Sequence, residues 1–459
     1  MADLSSGKLP AQTHTLSVKE RVALGRALRE RLARKHHARW APQRQRRDPI
    51  EILIEQGQSR LPDLLPLRHA RMKASPFAFM RGAAAVMASD LATTEVSGLR
   101  VQAAGDCHCL NFGGFATPER RLAFDINDFD ETAVAPFEWD VKRLAASVVV
   151  ATLDQFGADA RLDLAQSVAR AYREIMARIA GRTVLDEWYR VLTLDEAEAR
   201  AIGLDGKALK KADRALKHAV TLIDMRHTGG RSPTIQDQPP LVYHPPRSRG
   251  AAFRGDVETM LAEYVATLSP ERQLLLQRYR LADAAYKVVG VGAVGTLCGV
   301  VLMVSGDGEA LYLQFKEATQ SVLEPFAGTS PYAHHGERVV QGQRLIQAAS
   351  DILLGYANGP TGRHIYIRQL RDAKLKPVLE TMTAKDFRRY AETCGEVLAR
   401  AHARTADAVV LASYLGKSEA FDEAIARFAA AYARQTEQDH DALVKAIKSK
   451  RLPASAEIS

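Results

Sequence analysis

Between Gly105 and Asp140 four polar side chains are spaced as phosphoryl transfer would need them. That reaction asks for a carboxylate to activate the acceptor, oxygen ligands for magnesium, a loop over the phosphates and a lysine. In GDCHCLN, Asp106 and Asn111 stand five apart on an irregular loop, which lets one face an acceptor hydroxyl and the other a metal. Magnesium prefers hard oxygen ligands, so an amide oxygen with a carboxylate suits it. Asp128, in the DFD of NDFDE, offers that carboxylate seventeen residues later, and Asp140 opens a helix as WDVKRLA. An Asp and an Asn in a turn often only cap local backbone. The four-part spacing, with a strand between its halves, is what favours a site.

Holding these residues requires a strand over Leu99 to Ala104, a second over Leu122 to Ile126, and a helix from about Asp140 with Leu144, Ala145, Val148, Val149 and Ala151 on its inner side. Upstream, Ser75-Pro76 pairs an N-cap with proline at the first helical position and predicts one helix through FAFMRGAAAVMASDLA, burying Phe77, Met80, Ala84 and Met87. Residues 158 to 225 read as further helices, and 228 to 255, rich in Gly, Pro, Ser and Arg, as a linker or long loop. A helix is expected over 255 to 285, strands from Tyr286, a helix around 336 to 354, a strand pair near HIYIRQL and a helix over 384 to 403. The corresponding division is a basic arm at 1–50, a helical lobe with both loops at 51–227, the linker at 228–255, a nucleotide-binding lobe at 256–383, and helices at 384–459 packing on the helical lobe.

GDCHCLN, NDFDE and FEWDVKRLA together resemble the aminoglycoside phosphotransferase and choline kinase group of protein-kinase-like enzymes, whose core runs GDxHxxN, DFE or DFD, then a helix-opening DLA. The resemblance implies ATP and magnesium as cofactors, Asp106 as base, Asn111 and Asp128 as metal ligands, Asp140 as a helix-capping brace and His108 as a support of the loop. RMKASPFAFMRG, GDCHCLNFGGF and FEWDVKRLAAS also resemble a large bacterial family known mainly as a domain of unknown function, over residues 60 to 410.

The later half carries candidates for the remaining parts. Gly290, Gly292 and Gly295 form G-x-G-x-x-G, a weak pattern alone. A dinucleotide fold needs a helix directly after it, whereas TLCGVVLMV continues as β, so a hairpin over phosphates reads better. Lys316 in LQFKEA stands where a kinase-like third strand carries its phosphate-binding lysine, and Glu337 on the next helix is the expected partner. The plain alternatives are a surface Lys316–Glu317 strand pair and an ordinary helix glutamate. LARAHA resembles the helix end before the catalytic loop in those enzymes. Since loop, lysine and helix follow the catalytic segment, the expected fold is α+β, kinase-like and two-lobed, circularly permuted, with a helix-rich lobe and a small antiparallel sheet.

Apolar residues at 46% and charged residues at 25% are ordinary globular values over 459 residues. No run approaches the roughly 18 to 20 apolar residues of a membrane helix, and the start lacks a signal-peptide core, so a cytoplasmic chain is expected. Four cysteines, Cys107, Cys109, Cys298 and Cys394, point to free thiols rather than to zinc or disulfides. Net charge is +9, and the eleven basic against two acidic residues from Lys19 to Arg47 account for all of it. Such an arm suits a phosphate polymer or an acidic surface, or is a solvated helix and connector; Ser17 and Glu20 form a capping box opening that helix.

The function expected is transfer of the ATP γ-phosphate to a hydroxyl, with a small molecule as acceptor. An inactive nucleotide-binding scaffold and a nucleic-acid binder using the basic arm are the alternatives.

Overall fold

Local patterning sorts the chain into short antiparallel strands and a larger set of helices, an α+β fold. The computed structural model describes residues 13, 15–195, 202–204, 233–288, 290–370 and 375–455. Before the first loop come α1 (Val18–Arg31), α2 (Pro49–Gly57), α3 (Leu65–Lys73), α4 (Pro76–Gly82) and α5 (Ala84–Leu91). Strands β1 (Arg100–Ala103), β2 (Phe112–Ala116), β3 (Leu122–Ile126) and β4 (Ala133–Pro136) then form two small sheets, β1 with β4 and β2 with β3. Helices α6 (Phe137–Ala151), α7 (Ala158–Ala180) and α8 (Val184–Trp188) follow.

Past the next described stretch, β5 (Val242–Tyr243) leads to α9 (Arg247–Ala266) and α10 (Pro270–Leu276). Next are β6 (Tyr279–Lys287), β7 (Cys298–Ser305), β8 (Ala310–Glu317), α11 (Glu324–Ala327), α12 (His335–Ile346), β9 (Gly355–Asn358) and β10 (His364–Gln369). Their sheet has six strands in the order β5-β6-β7-β8-β10-β9. The chain closes on α13 (Ala384–Ala403), α14 (Ala408–Leu415) and α15 (Ala420–Lys448).

Two cores hold these layers. Val141, Leu144 and Val148 of α6 meet Val168 and Tyr172 of α7, Tyr390 and Leu398 of α13, and Phe428 of α15. One face of the large sheet, through Val301, Leu313 and Phe315, buries Val257, Met260 and Tyr264 of α9. The last three helices pack back on the first half, α13 and α15 on α7, α15 on α6, and α14 on α1.

Several elements depart from the sequence expectation for local reasons. The helix after Ser75 is two helices, broken at Ala83, where φ −116° and ψ 38° leave the helical region. The Gly82 and Met80 carbonyls at that break accept from Arg68 and Arg143, and Phe79 rather than Phe77 lies in the core. Helix α6 starts at Phe137, three residues before Asp140. The stretch taken as linker becomes helix at Arg247, because Phe253, Val257, Met260, Leu261 and Tyr264 form one buried stripe. Residues 228 to 232 lie outside the described residues, as does most of 196 to 225. The helix expected over 255 to 285 ends at Leu276, and Tyr279 starts a strand paired along β7. Helix α12 stops at Ile346, eight residues short of the expectation.

All four cysteines are free and buried. No helix among the described residues is long and apolar enough to cross a membrane. The Ser17–Glu20 capping box is present. Within the basic arm, seven of the eleven cationic side chains bond within the chain. Arg21 meets Asp407 at 3.4 Å, Arg29 donates to the Tyr414 carbonyl at 2.8 Å, and Arg31 and Arg34 donate to the Ser97 and Leu415 carbonyls. Arg39 pairs with Glu95, Arg46 with Asp90 and Asp439, and Arg47 with Glu55. These contacts favour a clamp across the helical layer over an arm free for an anionic partner.

Candidate active site

Asp106 sits on the loop between β1 and β2, entered through Gly105 at φ +85°. That angle suits glycine, and a Cβ there would also run into the Glu131 carbonyl of the second loop. The two loops are therefore seated on each other at one glycine. Asp140 fastens the entry: its Oδ2 accepts the Ala104 N–H at 2.6 Å and its Oδ1 the Gly105 N–H at 3.0 Å. It braces the loop rather than capping its own helix. Behind it a buried relay runs to Nε2 of His402, 3.2 Å from Asp140 Oδ2, and from His402 Nδ1 to the Tyr172 hydroxyl at 2.9 Å.

The Asp106 carboxylate is gripped on one side. Arg143, buried on α6, donates Nε to Oδ1 at 2.8 Å and Nη2 to the same oxygen, while Nη2 also reaches the Met80 carbonyl at 3.0 Å. Oδ2 is the other oxygen, and His108 Nε2 lies 3.9 Å from it. His108 is almost fully buried, edge-on to Phe77; burial pushes its pKa down to about 4, against the pull of Asp106, so it is neutral at physiological pH. Asn111 donates its Nδ2 to the Asp106 carbonyl at 2.6 Å and lines the same cleft, leaving the amide oxygen as what it offers there.

Opposite, Lys316 on β8 points at the second loop, forming an ion pair with Asp130 and lying 3.8 Å from Asp128. Burial opposes its charge, but the two carboxylates outweigh it and hold the ammonium well above its usual range. The Tyr366 hydroxyl donates to the other Asp130 oxygen at 2.7 Å. Glu337, the expected partner of Lys316, is not in that pair: its N–H is capped by His334 and its side chain lies by Tyr356. Arg338, one residue on, enters instead, donating to the Thr132 carbonyl at 2.5 Å and to the Asp130 and Thr319 carbonyls at 2.8 Å. Glu131, on the same second loop, accepts the Val322 N–H at 2.8 Å; burial raises its pKa to about 7.

The glycine run forms the loop of the β6–β7 hairpin, with one short 3-10 turn at Val291–Ala293 and then strand, not helix. A Cβ on Gly292 would lie 3.2 Å from the Arg81 carbonyl and 3.9 Å from Asp106 Oδ2, so this loop passes directly over the carboxylate. Gly290 lines the cleft beside it. Gly295 does not: at φ +95° it turns away against Arg60, and its carbonyl accepts the Leu61 N–H at 2.7 Å.

Asp106, His108, Asn111, Asp128, Gly290, Gly292 and Lys316 thus line one cleft of about 800 Å³. Its rim carries seven basic side chains (Arg60, Arg71, Arg81, Lys287, Lys316, Arg368, Lys376) against four acidic ones (Asp106, Asp128, Asp130, Glu131), a balance suited to a polyanion. Among the described residues no three His, Cys, Asp or Glu side chains gather as a metal centre. Asn111 and Asp128 offer two oxygen atoms to the cleft, a donor set that would fit magnesium carried in on phosphates better than a resident ion.

Residues the sequence reading passed over are Arg143, His402, Arg338, Asp130 and Tyr366. Arg143 had a signal: a charged residue on the apolar face of WDVKRLAASVVVA, three after Asp140. His402 had one too, as the polar residue ending LARAHA. No curated protein and no solved structure matches the chain. Residues 60–446 match a family model, past residue 410 and into α15. The chain therefore belongs to the family described as "Uncharacterized protein conserved in bacteria (DUF2252)".

Proposed function

We propose that the protein is a magnesium-dependent phosphotransferase that moves the γ-phosphate of ATP to a hydroxyl, that of a small molecule. One observation carries the reading: side chains from residues 106 to 128 and from 290 to 316, far apart in sequence, meet in a single cleft with a glycine loop over Asp106. The order of these parts corresponds to a kinase-like arrangement circularly permuted, its glycine loop, lysine and helix α12 following the catalytic loop.

In this mechanism the acceptor hydroxyl donates its hydrogen bond to Asp106 Oδ2, while Arg143 holds Oδ1 and fixes the carboxylate plane. The acceptor oxygen forms the new bond to phosphorus as the bond to the ADP oxygen breaks, and the hydroxyl proton passes to Asp106 and then to solvent. The Asn111 oxygen and Asp128 would hold magnesium, which would supply neutralisation of phosphate charge there. Lys316, aligned by Asp130, donates to phosphate oxygens. Backbone N–H groups around Gly290 and Gly292 cover them.

Asp106→Asn tests this. Turnover of ATP by the purified chain with magnesium should fall by about a hundredfold or more, with ATP affinity changed little. A second reading, a nucleotide-binding protein without transfer, draws on the Arg143 clamp, which spends Nε and Nη2 on Asp106 Oδ1. Equal turnover in wild type and Asp106→Asn would favour it.

A further inference from the structure

Three guanidinium groups between residues 60 and 81 have no carboxylate partner among the described residues. Among the described residues, Arg60, Arg68 and Arg81 have no carboxylate within ion-pair distance, although all three are buried or partly buried. Arg60 Nη1 donates to the Val294 carbonyl at 2.6 Å, and Arg68 Nη2 to the Gly82 carbonyl at 2.7 Å. Nε and Nη1 of Arg68 and Nε of Arg81 are buried without a hydrogen-bond partner. Burial presses against the Arg60 charge, and Glu131, Asp130 and Glu317 support it only at a distance. On the opposite wall Lys316 has Asp130, Arg363 has Glu317 at 2.5 Å and Arg338 has Glu324 at 3.5 Å, while Arg368 bonds to Gln314 and lies over the Tyr366 ring. Desolvated charge without a partner is costly, and an anionic ligand that completes the pairs removes that cost.

The cluster lies on the Asp106 side of the cleft. Met80, next to Arg81, gives its carbonyl to the same Arg143 guanidinium that grips Asp106. The Arg81 backbone carbonyl and Asp106 Oδ2 flank one point above Gly292, and Arg81 Nη2 is 3.9 Å from where a side chain at Gly290 would start. Arg60 and Arg81 both line the cleft, while Arg68 is buried outside its lining, where burial and the nearby Arg60 both press against its charge.

We infer that Arg60 and Arg81 form an anion site beside the glycine loop, and that it takes a phosphate group already present on the acceptor. The substrate class is thus a phosphorylated compound with a free hydroxyl, held by two guanidiniums so that the hydroxyl meets Asp106. Arginine suits this by its planar array of donors. The acceptor role rests on the phosphotransferase reading; the anion site does not.

Inorganic phosphate is the probe, titrated calorimetrically into the full chain, alone and with saturating magnesium and a non-hydrolysable ATP analogue. Phosphate is expected to bind in both states, and Arg60→Gln and Arg81→Gln each to weaken it about tenfold or more while analogue affinity shifts less than about threefold. Arg60→Lys and Arg81→Lys, which keep charge and bulk against the glycine loop, should lie between wild type and the glutamine variants. Absence of phosphate binding, or binding indifferent to both arginines, overturns the site. Exclusion of phosphate by the bound analogue also overturns it, because the arginines then serve the nucleotide's own phosphates. Phosphate binding through both arginines in a chain that binds no analogue keeps the anion site and removes the phosphotransferase reading.

Discussion

The two walls of the cleft are held by different forces. The wall from Gly105 to Asp140 is anchored through backbone groups: Asp140 holds two loop N–H groups, Asn111 holds the Asp106 carbonyl, and His402 and Tyr172 back them from buried helices. The wall built on the large sheet meets the first through charge, with Lys316 on Asp130 and Arg338 on two carbonyls of the second loop. One wall is set by its own hydrogen bonds. The other is docked onto it by these cations together with the Glu131 and Gln347 hydrogen bonds and an apolar seam that includes Val339, Val340 and Tyr366.

The sharpest way to break the comparison is Asp140→Ala. It leaves two buried N–H groups and His402 without their acceptor, and the expected cost is about 3 to 5 kcal/mol of stability. Any ATP turnover should fall by at least about a hundredfold, because the loop entry moves with it. Urea denaturation with parallel turnover assays reads both effects. Full stability in this variant would mean that the first wall is not hydrogen-bond anchored.

Next in size is a neighbouring pair on α12. Arg338→Gln should cost about 3 kcal/mol, since Asp130, Thr132 and Thr319 carbonyls lose a buried donor and Glu324 its partner. Glu337→Gln should cost less than about 0.5 kcal/mol, as a partly exposed residue outside that network. The reverse order would restore Glu337 as the partner of the second wall.

That pair also marks where sequence stops being legible. Glu337 and Arg338 are adjacent in GERVVQ, and one residue turns a helical side chain by about a quarter turn; nothing local says which of two charges faces inward. The first wall was legible because its chemistry is packed into 36 residues whose spacing survives any detail of folding. The hairpin was legible from β-branched residues after the glycines, whereas the role of Gly295 was not, being set by contact with Arg60, 235 residues earlier. Charge shows the same limit. The arm from Lys19 to Arg47 holds the most concentrated charge, yet most of its arginines bond to distant parts of the chain; Arg60, Arg68 and Arg81 draw no notice by composition and remain without carboxylates. Composition counts charges, and partners come only from tertiary contacts.

A pH series sets His108, wholly inside the first wall, against Glu131, which ties that wall to Val322. The pKa of His108 is about 4 in the fold and about 6.5 in the unfolded chain. Between those values the unfolded chain binds more protons, so its stability contribution is complete above pH 6.5 and is lost as pH falls through 4. Glu131 runs the other way: raised to about 7 from 4.5, its contribution is complete below pH 4.5 and is lost as pH rises through 7. Denaturation of wild type, His108→Gln and Glu131→Gln at pH 4 to 7.5 isolates each group. The wild-type advantage over His108→Gln should grow with pH by about 3 kcal/mol across this window. The advantage over Glu131→Gln should shrink with pH, by a smaller amount because Glu131 is partly exposed. Equal slopes for both variants would mean that burial does not separate the interior of the first wall from its junction with the second.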